Sequence, residues 1–245
     1  MAKILGLKPN EIKKYDVYVI GKMEGNVSEM DLIDESNVGS MIMQLLDGLS
    51  QLEKAGKSHN DINPKNILYK FNEEFEVNLK ISDFGRCDRS GGTPGWTPPI
   101  FQSKRIAGKS DMYSIALVIL YILCDDAKIF YCLRDNYIES GNSVWLTKFQ
   151  RWPEIELIMK MMSLSDQPTV EECKEKWTDI LESEQFEMIT EKRMDFIPES
   201  YKEYQYKTKK DKISNETNLN GYDENEFNWE DIDSVSYGEL YIREK

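Results

Sequence analysis

Two short stretches decide how this 245-residue chain is interpreted: His-Asn-Asp-Ile-Asn-Pro-Lys-Asn-Ile-Leu at residues 59–68, and Ile-Ser-Asp-Phe-Gly at residues 81–85. The first places the carboxylate of Asp61 five residues before the amide of Asn66, and the second supplies another carboxylate, Asp83. Two strand-like runs, 66–69 and 77–82, are separated by an acidic turn, and this pattern predicts a β-hairpin. The two polar motifs therefore flank a hairpin.

The spacing of these residues resembles the catalytic loop and the Asp-Phe-Gly motif of the eukaryotic-type protein kinase family. Further along, Gly-Thr-Pro-Gly-Trp-Thr-Pro-Pro-Ile at residues 92–100 resembles the end of a kinase activation segment. Residues 109–116 resemble the start of the family's central buried helix, whose aspartate, here Asp111, braces the catalytic loop. An Asp followed by an Asn five residues later is common by chance, but four motifs in the family's order are not. By analogy, the resemblance extends over residues 2–181.

The resemblance implies phosphoryl transfer from ATP to a protein hydroxyl, with ATP and magnesium as cofactors if nucleotide binds. This chemistry needs a carboxylate that orients the attacking hydroxyl and accepts its proton, and oxygen ligands that hold magnesium against the phosphates. A cation near the phosphates also contributes. The implied residues are Asp61 and Lys65 for catalysis, Asn66 and Asp83 for magnesium, and Met23, Leu68, Asn66 and Asp83 for the nucleotide.

Departures from the family pattern leave the type of substrate hydroxyl open, with Ser/Thr favoured over Tyr. Asn63 stands where Ser/Thr kinases usually carry a lysine, and Lys65 lies where tyrosine kinases tend to carry arginine. Small-molecule phosphotransferases share a similar loop but usually lack an activation segment, so residues 93–99 favour a protein kinase. Asn60 replaces the arginine that would bind a phosphorylated activation segment, and phosphate-switched activation is therefore not expected.

The start of the chain limits the expected activity. A kinase usually has roughly 80 residues before its hinge, which carry a Gly-rich loop and a phosphate-binding lysine; about 20 precede it here. We therefore expect remnant N-lobe strands and a hinge in residues 1–25, a kinase-like C-lobe in 26–182, and an acidic, partly disordered tail in 183–245. Transfer should then be weak or dependent on a partner. The alternative is a catalytically silent pseudokinase module that binds or inhibits another kinase or its substrate.

The hydrophobic pattern predicts an α+β fold, mostly helical with short hairpins and with the N-lobe largely absent. Helical spacing is found over residues 37–52, 154–162 and 170–181, and an apolar core helix is expected over 112–124. A strand over residues 16–23 is expected to pair with a weaker one at 2–7. Ile100 and Gln167 replace both members of a buried Glu–Arg pair of the family, which can be neutral for stability.

Composition restricts the class of partner and the compartment. The formal net charge of -13 and a pI near 4.7 argue against nucleic acid or a membrane surface as the partner. We expect a protein substrate or another kinase as the partner, and the sequence leaves the oligomeric state open. The cysteines lack metal-ligand spacing, and we expect them to be reduced thiols of a cytoplasmic protein. They are Cys87, Cys124, Cys132 and Cys173.

Overall fold

A computed structural model of the chain describes residues 15–19, 21–30, 33–89, 91–98, 109–127, 129–131, 133–134, 152–184, 186–190 and 240–244. Its elements, in chain order, are β1 (Tyr15–Val19), β2 (Gly25–Asn26), α1 (Glu35–Lys54), β3 (Ile67–Phe71), β4 (Val77–Ile81), α2 (Lys109–Leu123), α3 (Pro153–Met162), α4 (Val170–Leu181) and β5 (Leu240–Glu244). Short 3-10 turns lie at Val27–Glu29, Pro64–Asn66 and Phe84–Arg86.

The chain divides into two compact units, one formed by residues 1–24 with 213–245 and the other by Gly25–Lys212. In the described part of the first unit, β1 pairs with β5 in an antiparallel ladder that sets Val17 opposite Ile242. The sequence pointed to no strand at 240–244. The partner expected for β1, residues 2–7, lies outside the described residues, as do residues 191–239 of the expected tail.

Helix α1 is the predicted amphipathic helix over 37–52, extended slightly at both ends. It begins where the side chain of Asp34 accepts a hydrogen bond from the backbone N–H of Ser36 at 2.9 Å, which satisfies one of the free donors of the first turn. It ends before Gly56, whose φ of 64° is readily adopted only by residues such as glycine. The face that it buries carries Val38, Met41, Ile42, Leu45, Leu46, Leu49 and Leu52.

Helix α2 is the expected core helix. Nearly all of its side chains are buried, on every face, because α1 and α3 pack against it. Its 15 residues span about 22 Å at 1.5 Å per residue. Within the described parts of the chain, no helix is long and apolar enough to cross a membrane.

The predicted hairpin is formed by β3 and β4, which pair in antiparallel register with Ile67 opposite Ile81. Its turn is organised by Asn72, whose side-chain oxygen accepts the backbone N–H groups of Glu74 and Glu76 at 2.9 Å each. At the open end of the hairpin, the backbone N–H of Ser82 donates to the carbonyl of Asn66 at 2.8 Å. The hairpin thereby brings the 59–66 loop and the Asp-Phe-Gly motif side by side, and with the helical layers it confirms the α+β fold.

Candidate active site

The 59–66 loop is held by a buried carboxylate from α2. Asp111, which is 1% exposed, accepts the backbone N–H of His59 and that of Asn60 at 2.7 Å each. Burial raises the pKa of Asp111, and the two backbone hydrogen bonds oppose that shift. The bonds also support Asn60 in a left-handed conformation with φ 68°. The bracing role that the resemblance implied for Asp111 is therefore present.

His59, the only histidine of the sequence, is fully buried in the loop. Its Nε2 lies 2.8 Å from the carbonyl oxygen of Ser82, and its ring meets the ring of Phe84 edge-on at 4.9 Å. These contacts link the loop to the Asp-Phe-Gly motif, so the imidazole is structural.

The carboxylate of Asp61 is oriented by the 91–98 segment. Its Oδ1 accepts the backbone N–H of Thr93 at 2.8 Å and the hydroxyl of Thr93 at 2.6 Å. Its Oδ2 lies 3.5 Å from Nε of Arg86. Asp61 is 8% exposed, and a carboxylate offers about four acceptor positions, so Oδ2 keeps capacity for a further donor.

The two asparagines of the loop fix the backbone of Asp61. The amide nitrogens of Asn63 and Asn66 donate to the Asp61 carbonyl at 3.0 and 2.8 Å. Asn63 is buried, and its oxygen accepts the backbone N–H of Lys65 at 3.0 Å, which caps the 3-10 turn Pro64–Asn66. Asn63 is thus structural and contributes no charge.

Asp83 adopts a left-handed conformation with φ 58° and accepts the backbone N–H of Gly85 at 3.2 Å. Its second carboxylate oxygen and Oδ1 of Asn66 accept no hydrogen bond from a described residue. Carboxylate and amide oxygens are the ligands that magnesium takes, so these two residues fit the ion. The described residues contain no cluster of three or more His, Cys, Asp or Glu that would suggest a different metal site.

The side chains of three further site residues expected from the sequence have no hydrogen bond or ion pair to Asp61 among the described residues. Lys65 is exposed and forms no ion pair with Asp61 among the described residues. Leu68 is buried on β3 opposite Lys80. Met23 is half-buried and belongs to the first unit. Their roles in nucleotide binding or catalysis stay predictions.

Sequence reasoning missed two residues that contact Asp61, namely Thr93 and Arg86. Thr93 lies in a stretch recognised only as the end of an activation segment. Its position depends on Gly92, where a Cβ would lie about 2.5 Å from the carbonyl of Asn60, and on Trp96, whose ring stacks on Phe130 at 5.0 Å. Arg86 directly follows the Asp-Phe-Gly motif, which is the one signal that could have identified it.

Comparisons with known proteins agree with this geometry. The family model "Protein kinase domain" matches residues 15–199. "Calcium/calmodulin-dependent protein kinase type 1" of Macrobrachium nipponense is 26% identical over 142 residues, which are 51% of this chain and 41% of that protein. The protein of the same name from Caenorhabditis briggsae is 32% identical over 99 residues, which are 37% of this chain and 28% of that protein. The matched regions thus span less than half the length of these relatives. Because the family model covers well over half of the chain, the chain belongs to the protein kinase family.

Proposed function

We propose that this protein transfers a phosphoryl group from ATP to a protein hydroxyl, with weak or partner-dependent activity, and that Asp61 is the base. The observation that supports Asp61 as the base is the difference between the surroundings of its two carboxylate oxygens. Thr93 occupies Oδ1 with two hydrogen bonds, whereas the one contact of Oδ2 with a described residue is the long one to Arg86. The carboxylate is held in one orientation with an oxygen available for a substrate.

In this mechanism, Oδ2 of Asp61 accepts the proton of the substrate hydroxyl as the hydroxyl oxygen bonds to the γ-phosphorus. The bond from that phosphorus to the bridging oxygen breaks, and its electron pair leaves on ADP. Asn63 and Asn66 hold the backbone of Asp61 during this step through its carbonyl. Magnesium bound by Asn66 and Asp83 would neutralise charge on the phosphate oxygens.

The test is transfer of radiolabelled phosphate to a generic protein substrate by the wild type and by Asp61→Asn. A positioned base contributes about 10²- to 10⁴-fold, so the variant should lose most of the signal. Asp179→Asn is the matched control, because Asp179 is an exposed aspartate on α4 and should transfer like the wild type. Equal transfer by Asp61→Asn and the wild type would assign the activity to another site.

A second candidate function is a catalytically silent module that binds another protein kinase or its substrate. The observation that favours it is Phe84, a large apolar side chain that is 51% exposed. It lines a groove of about 460 Å³ between α1 and β4, whose walls carry apolar side chains such as Leu45 and Ile81 beside polar ones such as Gln44 and Lys80. A half-exposed aromatic ring at the edge of a groove that also offers polar groups is a reasonable contact point for a partner protein.

Two measurements separate the candidates. Millimolar Mg-ATP should raise the melting temperature of a nucleotide-binding kinase, because a ligand that binds only the folded state stabilises it. A silent module should show no shift. In affinity capture with identification of the retained proteins, a silent module should retain a protein kinase or its substrate, and Phe84→Ser should lose it. Phe75→Ser, at an exposed ring on the β3–β4 turn, is the control that should not.

The proposed compartment is the cytoplasm. None of the cysteines that the structure describes, Cys87, Cys124 and Cys173, takes part in a disulfide. Reduced thiols are the usual state in that compartment.

A further inference from the structure

Arg86 is the cation that lies within 4 Å of the Asp61 carboxylate in the described part of the chain. Its side chain is 55% exposed, whereas that of Asp61 is only 11% exposed. The guanidinium therefore lies on the solvent side of the base, which is the side from which a substrate must approach.

The backbone of Arg86 is fixed although its side chain is exposed. Its carbonyl accepts the backbone N–H of Arg89 at 3.0 Å and the side-chain amide of Asn60 at 3.4 Å. The oxygen of the Asn60 side chain in turn accepts the hydroxyl of Ser110, in the buried first turn of α2, at 3.2 Å. Arg86 is thus anchored to the core through Asn60, the residue that replaces the family's arginine.

The contact with Asp61 involves only Nε of the Arg86 guanidinium and leaves its Nη donors for another acceptor. A charge-assisted N–H···O⁻ hydrogen bond is about 2.7–2.9 Å long, and the Nε to Oδ2 distance here is 3.5 Å. Arginine has five N–H donors, and no described acceptor bonds the Nη groups. A Cβ at Gly91 would lie 3.5 Å from Nη1, and with φ 92° this position favours glycine, so residue 91 itself places no side chain against that edge.

Neither the residue at the family's lysine position nor Lys65 supplies a cation beside Asp61 in the described part of the chain. Asn63, at the family's lysine position, is uncharged and bound to the loop backbone, and Lys65 forms no ion pair with Asp61 among the residues described. Phosphoryl transfer requires preorganised positive charge near the transferred group. A planar guanidinium fork matches the oxygens of a phosphate.

We propose that Arg86 binds the phosphoryl group that is transferred, with Nε directed to Asp61 and the Nη edge directed to the phosphate oxygens. The ligand class is a polyphosphate oxyanion. This inference deepens the proposed function and rests on it for its catalytic meaning, but anion binding by Arg86 can be measured without any transfer.

The first experiment titrates sodium tripolyphosphate, which has no nucleoside, into the full chain and follows the ¹⁵Nε–¹Hε resonances of its arginines. The Arg86 signal is assigned by its disappearance in Arg86→Lys. We expect a saturable shift of this signal at constant ionic strength. Arg89, exposed three residues further on, is the internal control and should not shift. An Arg86 resonance that moves no more than that of Arg89 overturns the inference.

The second experiment measures phosphate transfer. Loss of one preorganised donor typically costs about a hundredfold, so Arg86→Gln should transfer about a hundredfold more slowly, Arg86→Lys should recover part of the rate, and Arg89→Gln should match the wild type. Melting temperatures verify that the variants are folded. Wild-type rates in Arg86→Gln would overturn the inference. A saturable shift in a chain that transfers no phosphate would retain the anion site and refute the proposed function.

Discussion

Replacement of Asp111 should release the backbone of the 59–66 loop and lower the stability of the folded protein. The size of this loss follows from the hydrogen bonds that Asp111 accepts. Its carboxylate is 1% exposed and accepts two backbone N–H groups, from His59 and Asn60, at 2.7 Å each. A hydrogen bond to a charged group contributes about 1.5–3 kcal/mol. Asp111→Ala removes both acceptors and should lower the free energy of unfolding by about 3–6 kcal/mol. That is a large share of the roughly 5–15 kcal/mol that stabilises a typical domain.

Asp111→Asn separates the hydrogen bonds from the charge. The asparagine keeps one acceptor oxygen and avoids the penalty of a buried carboxylate, so it should cost about half as much as the alanine, or less. Urea unfolding followed by tryptophan fluorescence measures the free energy of unfolding of each variant. Asp179→Asn, exposed on α4, should change it by no more than about 0.5 kcal/mol. A loss below about 1 kcal/mol for Asp111→Ala, with an unchanged urea dependence, would refute the claim that these two bonds hold the loop.

Three further outcomes follow from the same contacts. Thr93→Val removes the hydroxyl that donates to Oδ1 of Asp61, so the rate of phosphate transfer should fall about tenfold or more. Thr93→Ser keeps the hydroxyl and should keep the rate; equal rates in the two variants would contradict this role. Gly92→Ala would bring a Cβ against the Asn60 carbonyl and the Thr97 side chain, and overpacking of this kind should cost about 1–3 kcal/mol in urea unfolding. Because burial raises the pKa of Asp111 above 3.8, the folded state holds its proton more tightly than the unfolded state. The stability of the wild type relative to Asp111→Asn should therefore fall as pH rises from 3.8 through the folded pKa and stay constant above it, which unfolding at several pH values can check.

The sequence alone determined the elements whose signals are local. The spacing of apolar residues predicted α1 and the buried helix α2, and the turn around Asn72 predicted the hairpin of β3 and β4. These predictions hold because helical and strand periodicity are set by residues a few positions apart. The order of four short motifs was enough to indicate the family.

The structure describes one of the two residues that replace the family's buried Glu–Arg pair. Ile100 lies outside the described residues, but the amide of Gln167 donates to the carbonyls of Met161 and Lys109 at 2.7 and 2.9 Å. A neutral amide at this position thus links the end of α3 to the start of α2. No motif indicates that use, because the two carbonyls come from different helices.

Only the tertiary structure decided what surrounds Asp61. Thr93 lies 32 residues away along the chain and Arg86 lies 25, and both reach the carboxylate because Gly92 allows a close backbone approach and Asn60 binds the Arg86 carbonyl. The pairing of β1 with β5 is a contact of the same long-range kind. Such contacts depend on how separate elements pack, which residue spacing does not encode. The position of Asp61 in the loop could therefore be predicted from the sequence, whereas the groups that orient its carboxylate could not.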